Sequence, residues 1–287
     1  MIGYKRKENV VHRLMSTTHN NGVVLLEYPL LNSTGLVSHC FSTRIGGVSE
    51  GIYSSMNLSY SRGDNPDAVT ENFKRLAAAK DWKIENMVFS DQTHTTNIRK
   101  VTSEDAGKGI IRDRDYADVD GLITNEPGLI LSTFYADCVP LYFVDPIQKA
   151  IGLCHSGWKG TVGRIGLSTI EAMTREFGTI PSDLVCAIGP SICQDCYEVS
   201  LDVAEAFMKE FPLNIDVIIY EKEPVNGERK FQLNLWEACK TVLTDAGVKP
   251  ENIAITDICT CCNPDLLFSH RASQGKRGNL GAFMCLN

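Results

Sequence analysis

The chain has no run of about 18 apolar residues, so no membrane-spanning helix is expected. Its opening, MIGYKRKENVVHRLM, is basic but has no apolar h-region, so a secretory signal is not expected either. Neither G-x-G-x-x-G nor G-x-x-x-x-G-K-[ST] occurs, which leaves dinucleotide or ATP use without support. No low-complexity segment and no repeat with a period of about 20–50 residues is present, which argues against a solenoid or propeller. A surplus of positive charge is also missing. With 28 Lys and Arg against 35 Asp and Glu, the formal net charge is −7, so nucleic acid and anionic membrane are not expected partners. A local basic pocket for a small anion stays open.

What is present suits a soluble globular protein. The 287 residues, 43% hydrophobic and 22% charged, can bury a core in one large domain or two small ones. The 11 cysteines are an odd number, spread irregularly from Cys40 to Cys285 in a chain too large to need disulfide staples. That usage fits a reducing cytoplasm, with buried thiols or metal ligands.

The most patterned stretch, Leu129 to Thr161, reads LILSTFYADCVPLYFVDPIQKAIGLCHSGWKGT. Apolar runs over 129–135, 141–144 and 150–153 predict three strands, and each break between or after them carries polar chemistry. The first break is Ala136-Asp-Cys-Val-Pro, and the second is a turn at Asp145–Pro146. After the third run, His155-Ser-Gly-Trp-Lys-Gly opens a predicted helix over 161–177. Further strands are predicted over 23–30, 37–42, 122–124, 184–188 and 252–258. His94 is expected in a strand, turn and strand over 87–101, and a closing pair of strands over 266–269 and 280–286. Helices are predicted from the Asp64-Asn-Pro-Asp cap to Ala79, over 201–211 and over 235–246. Strands outnumber a simple βα alternation, so the expected class is α+β, with mixed sheets flanked by helices in a layered α/β/β/α arrangement.

Several residues could carry chemistry. His94, Cys138 and His155 lie 44 and 17 residues apart, a spacing that says nothing about zinc by itself. Two imidazoles and a thiolate are nevertheless ligands zinc favours, and three protein ligands leave a fourth position for water or substrate. The same residues could form a Cys–His nucleophile and base, or be unrelated core residues. Asp120, two residues after Asp118, and Asp137 beside Cys138 are candidate acid–base carboxylates. Arg44 precedes Gly46 and Gly47, a loop that could hold an anion or simply connect two strands. Cys193 and Cys196 form one C-x-x-C pair, and Cys259 and Cys262 another. Together they could build a four-cysteine zinc site, but neither pair carries a glycine-rich knuckle, so buried free thiols are the preferred reading.

At Ala136-Asp-Cys-Val-Pro and His155-Ser-Gly-Trp-Lys-Gly-Thr the sequence resembles the YfiH-like family of multi-copper-laccase-domain proteins. The likeness extends from about Val37 to the C-terminus. It takes in Ser42-Thr-Arg-Ile-Gly-Gly-Val-Ser-Glu-Gly, Met56-Asn-Leu, Asp91-Gln-Thr-His, Asp118-Val-Asp-Gly, Gly189-Pro-Ser-Ile, Tyr197-Glu-Val and Phe268-Ser-His-Arg. It implies one domain over 31–287, with 1–30 as an N-terminal extension packing on it. The family's activity is purine nucleoside phosphorolysis with adenosine deamination, so adenosine, inosine and methylthioadenosine are the expected substrates and phosphate the co-substrate. The resemblance also implies a zinc ion held by His94, Cys138 and His155, with copper as the alternative metal. Cys138, His155, Asp120 and Asp137 are then the candidate catalytic residues, and Arg44 and Lys159 the candidate phosphate contacts. A copper-dependent polyphenol oxidase and a Cys–His hydrolase are the rival activities. Two positions depart from the family pattern. Thr95 stands where a glycine is common, and Lys159 replaces an arginine, losing its bidentate fork.

Overall fold

A strand buried on both faces needs a partner on each, and Val139–Asp145 shows this directly. Val139, Leu141 and Phe143 pack toward helices, whereas Tyr142 and Val144 face a second sheet, as a side-chain period of two requires. The computed structural model describes residues 4–8, 13–224 and 227–287. Residues 1–3 and 9–12 of the expected N-terminal extension lie outside the described residues.

Two six-stranded mixed sheets stack face to face. The first runs in the order Met15–Thr18, Val24–Glu27, Val37–Ser42, Leu280–Leu286, Ile130–Tyr135, Met87–Phe89. The second runs Ile253–Ile255, Val185–Ile188, Val139–Asp145, Ala150–Ser156, Gly121–Thr124, Ile98–Lys100. Between them lies a core containing Phe41, Leu131, Tyr142, Ile151, Leu153 and Met284. The outer face of the first sheet packs against Pro66–Ala79 through Val69, Phe73 and Leu76. The outer face of the second is covered by Ile165–Phe177 and Leu235–Asp245, with Leu201–Glu210 and a small sheet including Phe231–Leu233 beyond. The architecture is the expected α+β class, layered α/β/β/α.

Local signals explain several boundaries. Asn65 caps its helix, its side chain accepting from the Asp67 amide at 2.8 Å, with Pro66 in the first turn. Asp145 closes its turn by accepting from the amides of Ile147 and Gln148, both at 2.9 Å.

Three expectations are corrected. The helix over 161–177 is two helices, Trp158–Val162 and Ile165–Phe177, because Arg164 adopts a left-handed φ of 57° and its guanidinium pairs with Glu210 and Asp245. Residues 266–269 form no strand. Leu266, Leu267 and Phe268 are instead buried in the core between the sheets, and Leu280–Leu286 pairs with Val37–Ser42 and Ile130–Tyr135. The strands flanking His94 do not pair as a hairpin: Met87–Phe89 lies parallel to Ile130–Tyr135 in one sheet, and Ile98–Lys100 parallel to Gly121–Thr124 in the other. The intervening loop therefore crosses the open end of the gap between the sheets.

Candidate metal centre

That crossing places His94 opposite the ends of two paired strands. Val139–Asp145 and Ala150–Ser156 are antiparallel with Pro140 opposite His155. His155 has the parity of Ile151 and Leu153, and Cys138, one residue before its strand, packs against the same inter-sheet core. Donor atoms of His94, Cys138 and His155 all lie within 4.8 Å of one another. The two imidazole rings meet edge to face with centroids 4.8 Å apart. His155 is buried, Cys138 half-buried and His94 exposed, as suits a centre at the end of a core with one side open.

Asp120 organises this cluster from beneath. It is fully buried at the head of Gly121–Thr124, and its Oδ1 lies 2.8 Å from His155 Nδ1. Backbone amides of Thr93, His94 and Thr95 donate to the same carboxylate at 3.0, 3.1 and 2.8 Å. The Thr95 hydroxyl adds a further bond at 3.0 Å. Converging amides of this kind form an anion nest, and His94 adopts the left-handed φ of 68° needed to complete it. Thr95, the departure from the family's usual glycine, thus takes a defined part in holding Asp120.

The electrostatics follow from these contacts. Burial pushes the Asp120 carboxyl up, but the bonds from His155 and the Thr95 and Thr93 amides outweigh it and hold it at about 2. Burial likewise opposes the Cys138 thiolate, yet the charges and hydrogen bonds of His155 and His94 bring the thiol down to about 6. His155 is lowered by burial and raised more strongly by Cys138 and Asp120, to about 9. With Nδ1 turned to Asp120, Nε2 of His155 is the atom left for an ion, the usual outer-shell arrangement of a metal-binding histidine. Ideal tetrahedral zinc with nitrogen and sulfur ligands spaces its donors by about 3.4–3.6 Å, so this donor set fits such an ion.

Gly157 is fitted to the cluster. A Cβ there would stand 2.9 Å from His94 Cδ2 and 3.2 Å from Cys138 Sγ, which accounts for glycine in His-Ser-Gly-Trp.

The cluster forms one end of a cleft of about 360 Å³. Phe89 and Phe134, T-shaped with centroids 4.7 Å apart, line it together with Tyr60. Arg62 and Arg277 line it too, and neither stood out in the sequence. Arg277 is buried with Nε lacking a partner among the described residues. Burial and then the charge of Arg62 lower its guanidinium pKa to about 10, against the opposing charges of Asp137 and Cys138. Asp91 is the carboxylate on the cleft wall and pairs with Arg114 at 2.5 Å.

The other sequence candidates lie elsewhere. Arg44 donates to the carbonyls of Ser54 and Pro264 at 2.7 and 2.8 Å and stacks over Phe268, beside a second, smaller cleft. Lys159 lies over the Trp158 ring and does not line the main cleft. Asp137 accepts from the Thr260 hydroxyl at 2.6 Å and the Arg271 amide at 2.7 Å, away from the cleft lining. Its φ of 84° shows that Ala136–Cys138 is a turn and not the extended segment that would set Asp137 and Cys138 on opposite faces.

Fold and centre together define the class: an α+β double-sheet protein with a donor cluster of two histidines and one cysteine beside a cleft lined by Phe89 and Phe134 from the first sheet. Residues 38–287 match the family described as multi-copper polyphenol oxidoreductase laccase, and the chain belongs to that family. It is 36% identical over 248 residues to purine nucleoside phosphorylase YlmD of Bacillus subtilis, an overlap covering 85% of this chain and 86% of that protein. A purine nucleoside phosphorylase of Bacteroides thetaiotaomicron is 36% identical over 257 residues, covering 89% and 94%. Among solved structures, YfiH of Bacillus licheniformis superposes with a TM-score of 0.85 at 33% identity, covering 95% of this chain and 99% of that one. No helix among the described residues is long and apolar enough to cross a membrane.

Proposed function

We propose that this protein is a zinc-dependent purine nucleoside phosphorylase acting on adenosine, inosine and methylthioadenosine, and that it also deaminates adenosine. One observation carries the reading: two imidazoles and a thiol converge at a cleft that Arg62 and Arg277 also line. Zinc bound by His94, Cys138 and His155 would supply Lewis acidity toward a polar atom of the bound nucleoside.

The remaining work falls to side chains. Phe89, Phe134 and Tyr60 offer apolar surface for a purine ring. Arg62 and Arg277 supply the anion site for phosphate, in preference to Arg44 and Lys159. In phosphorolysis a phosphate oxygen bonds to the anomeric carbon as the glycosidic bond breaks, and the bonding pair leaves on the purine, which takes up a proton. Asp120 is committed to five donors, so it acts as a positioning residue for His155 and not as the proton carrier. Asp137 lies away from the cleft lining, and Asp91, although paired with Arg114 and accepting from the Asp118 amide, lines the cleft and is the carboxylate we assign to relay protons. Deamination exchanges the exocyclic amine for an oxygen from water with release of ammonia, and draws on the same relay. The 11 free thiols suit a cytoplasmic location.

A second reading has its own observation. Cys138 lies close to His155, which is bonded to Asp120, an order that also matches a thiol nucleophile, base and orienting carboxylate. Metal-quantified protein incubated with adenosine, with and without phosphate, decides among the possibilities. Adenine with ribose 1-phosphate formed only with phosphate supports phosphorolysis, and inosine formed without it supports deamination. No turnover of adenosine, with or without phosphate, refutes the proposal. Chelation should abolish both activities and zinc restore them, whereas a Cys–His hydrolase would survive chelation. Phenol oxidation restored by copper alone would favour the oxidase.

A further inference from the structure

Four cysteines outside the cleft converge as closely as the candidate ligands do. Sγ atoms of Cys193, Cys196, Cys259 and Cys262 all lie within 4.8 Å of one another. Cys196 Sγ is 3.5 Å from Cys262 Sγ, and Cys193 Sγ is 4.0 Å from it. A tetrahedral ion with four sulfurs at about 2.3 Å spaces them by roughly 3.8 Å, between those two values. A disulfide would need about 2.05 Å.

The backbone supplies a second, independent signature. Amides of Cys193 and Cys262 both donate to Cys259 Sγ, at 3.2 and 3.4 Å. Charge-stabilising N–H···S bonds of this kind favour a thiolate over a thiol. Each C-x-x-C pair sits on its own loop, and the loops are tied together by a Ser191–Cys259 bridge and a Thr260 amide bond to the Ser191 carbonyl at 3.1 Å. Cys193 and Cys259 are buried, and Cys196 and Cys262 are half-buried. Four sulfur donors, two of them buried and two half-buried, describe a structural ion site. The preference for four unrelated buried thiols, drawn from the missing glycine knuckle, gives way to this convergence.

We infer that Cys193, Cys196, Cys259 and Cys262 bind a structural zinc ion, distinct from the ion proposed for His94, Cys138 and His155. All-thiolate tetrahedral donors select zinc among the common divalent ions. The site clamps the loop after Val185–Ile188 to the loop after Ile253–Ile255. Both loops grip Asp137: the Ile192 amide donates to its carbonyl at 3.0 Å and the Thr260 hydroxyl to its carboxylate at 2.6 Å. Cys138 is the next residue, so the quartet holds the turn that presents it. Metal binding at such a site couples directly to folding.

The inference does not depend on the proposed activity, and its test separates the two. Zinc per chain is measured on the full protein purified under reducing conditions, for the wild type and for H94A/C138A/H155A. The wild type should hold two zinc ions per chain, and the triple variant should keep one whose X-ray absorption edge shows four sulfur neighbours. C193S/C196S should lose one equivalent. Should these variants fail to fold, the wild-type spectrum alone decides, because five sulfurs over two ions average about two and a half per zinc. An average near one sulfur per zinc, a zinc-free triple variant, or a Cys196–Cys262 disulfide in protein kept reduced would overturn the inference.

Discussion

Replacing Asp120 with asparagine exchanges one oxygen for an NH2 group and removes one charge, at a position where five donors point inward. An amide offers one acceptor oxygen. If that oxygen takes the place of Oδ2, it satisfies Thr93 and Thr95, and the new NH2 faces the His94 amide and His155 Nδ1. His155 must then accept at Nδ1 and carry its proton on Nε2, the atom needed for an ion. The opposite orientation leaves two amides and a hydroxyl facing an NH2 group. Either choice is costly. A carboxyl held at about 2 from an ordinary 3.8 favours its charged form by roughly 2 kcal/mol, and this preference is lost. Disturbed outer-shell partners typically cost about 10–100-fold in metal affinity. D120N should therefore weaken zinc binding by about that factor and lower stability by about 1–3 kcal/mol. Competition with a chromophoric chelator and urea unfolding measure the two effects. Unchanged zinc affinity with a collapse in kcat alone would refute the positioning role and return Asp120 to the role of proton carrier.

Three other outcomes follow from the same geometry. G157A places a methyl group against His94 and Cys138 while its backbone, at φ −76° and ψ 178°, accepts alanine freely. Zinc affinity should fall by at least about tenfold with circular dichroism unchanged, and wild-type affinity would show that these side chains are not ligands. R277Q should raise the KM for phosphate by about tenfold or more while changing the KM for nucleoside little, and an unchanged phosphate KM sinks the anion site. His39 is buried with Nε2 accepting from the Tyr28 amide at 2.8 Å, and burial, opposed by the charge of Glu27 and aided by Lys80, lowers its pKa from 6.5 to about 4. The unfolded chain takes up the proton first, so stability complete above pH 6.5 is lost as pH falls toward 4, by about 3 kcal/mol from this residue. H39Q keeps an acceptor and should flatten that slope in urea unfolding; equal slopes would refute the account.

The departures from expectation share a cause. Arg44 beside two glycines could be read as an anion loop or a simple connection, and here the glycines let backbones pack: a Cβ at Gly46 would lie 2.5 Å from the Gly22 carbonyl oxygen, and one at Gly47 2.1 Å from that of Ser55. Arg277 gave no local signal because its meaning comes from Arg62, 215 positions away in sequence, across a shared cleft. The apolar run at Leu266–Phe268 has strand-like composition, but burial is all that composition reports. Whether a buried run joins a ladder depends on an unpaired neighbouring edge, and Leu280–Leu286 already lies between Val37–Ser42 and Ile130–Tyr135.

The sequence by itself determined the class and most elements, because side-chain periodicity and caps act within a few residues. The apolar run within Val139–Asp145, the Asn-Pro start at Pro66 and the Asp145 turn are local physics, legible in one dimension. It also brought His94, Cys138 and His155 to notice, since their motifs match a known family. What those residues do together was decided by tertiary structure. The crossing of the 90–97 loop between sheets brings His94 to the strand ends, buries Asp120 beneath it and fixes which histidine nitrogen remains free. The same holds for the cysteine quartet, where two unremarkable C-x-x-C pairs meet because parallel strands Val185–Ile188 and Ile253–Ile255 end side by side. Donor convergence is a property of distance in space, and sequence spacing does not encode it.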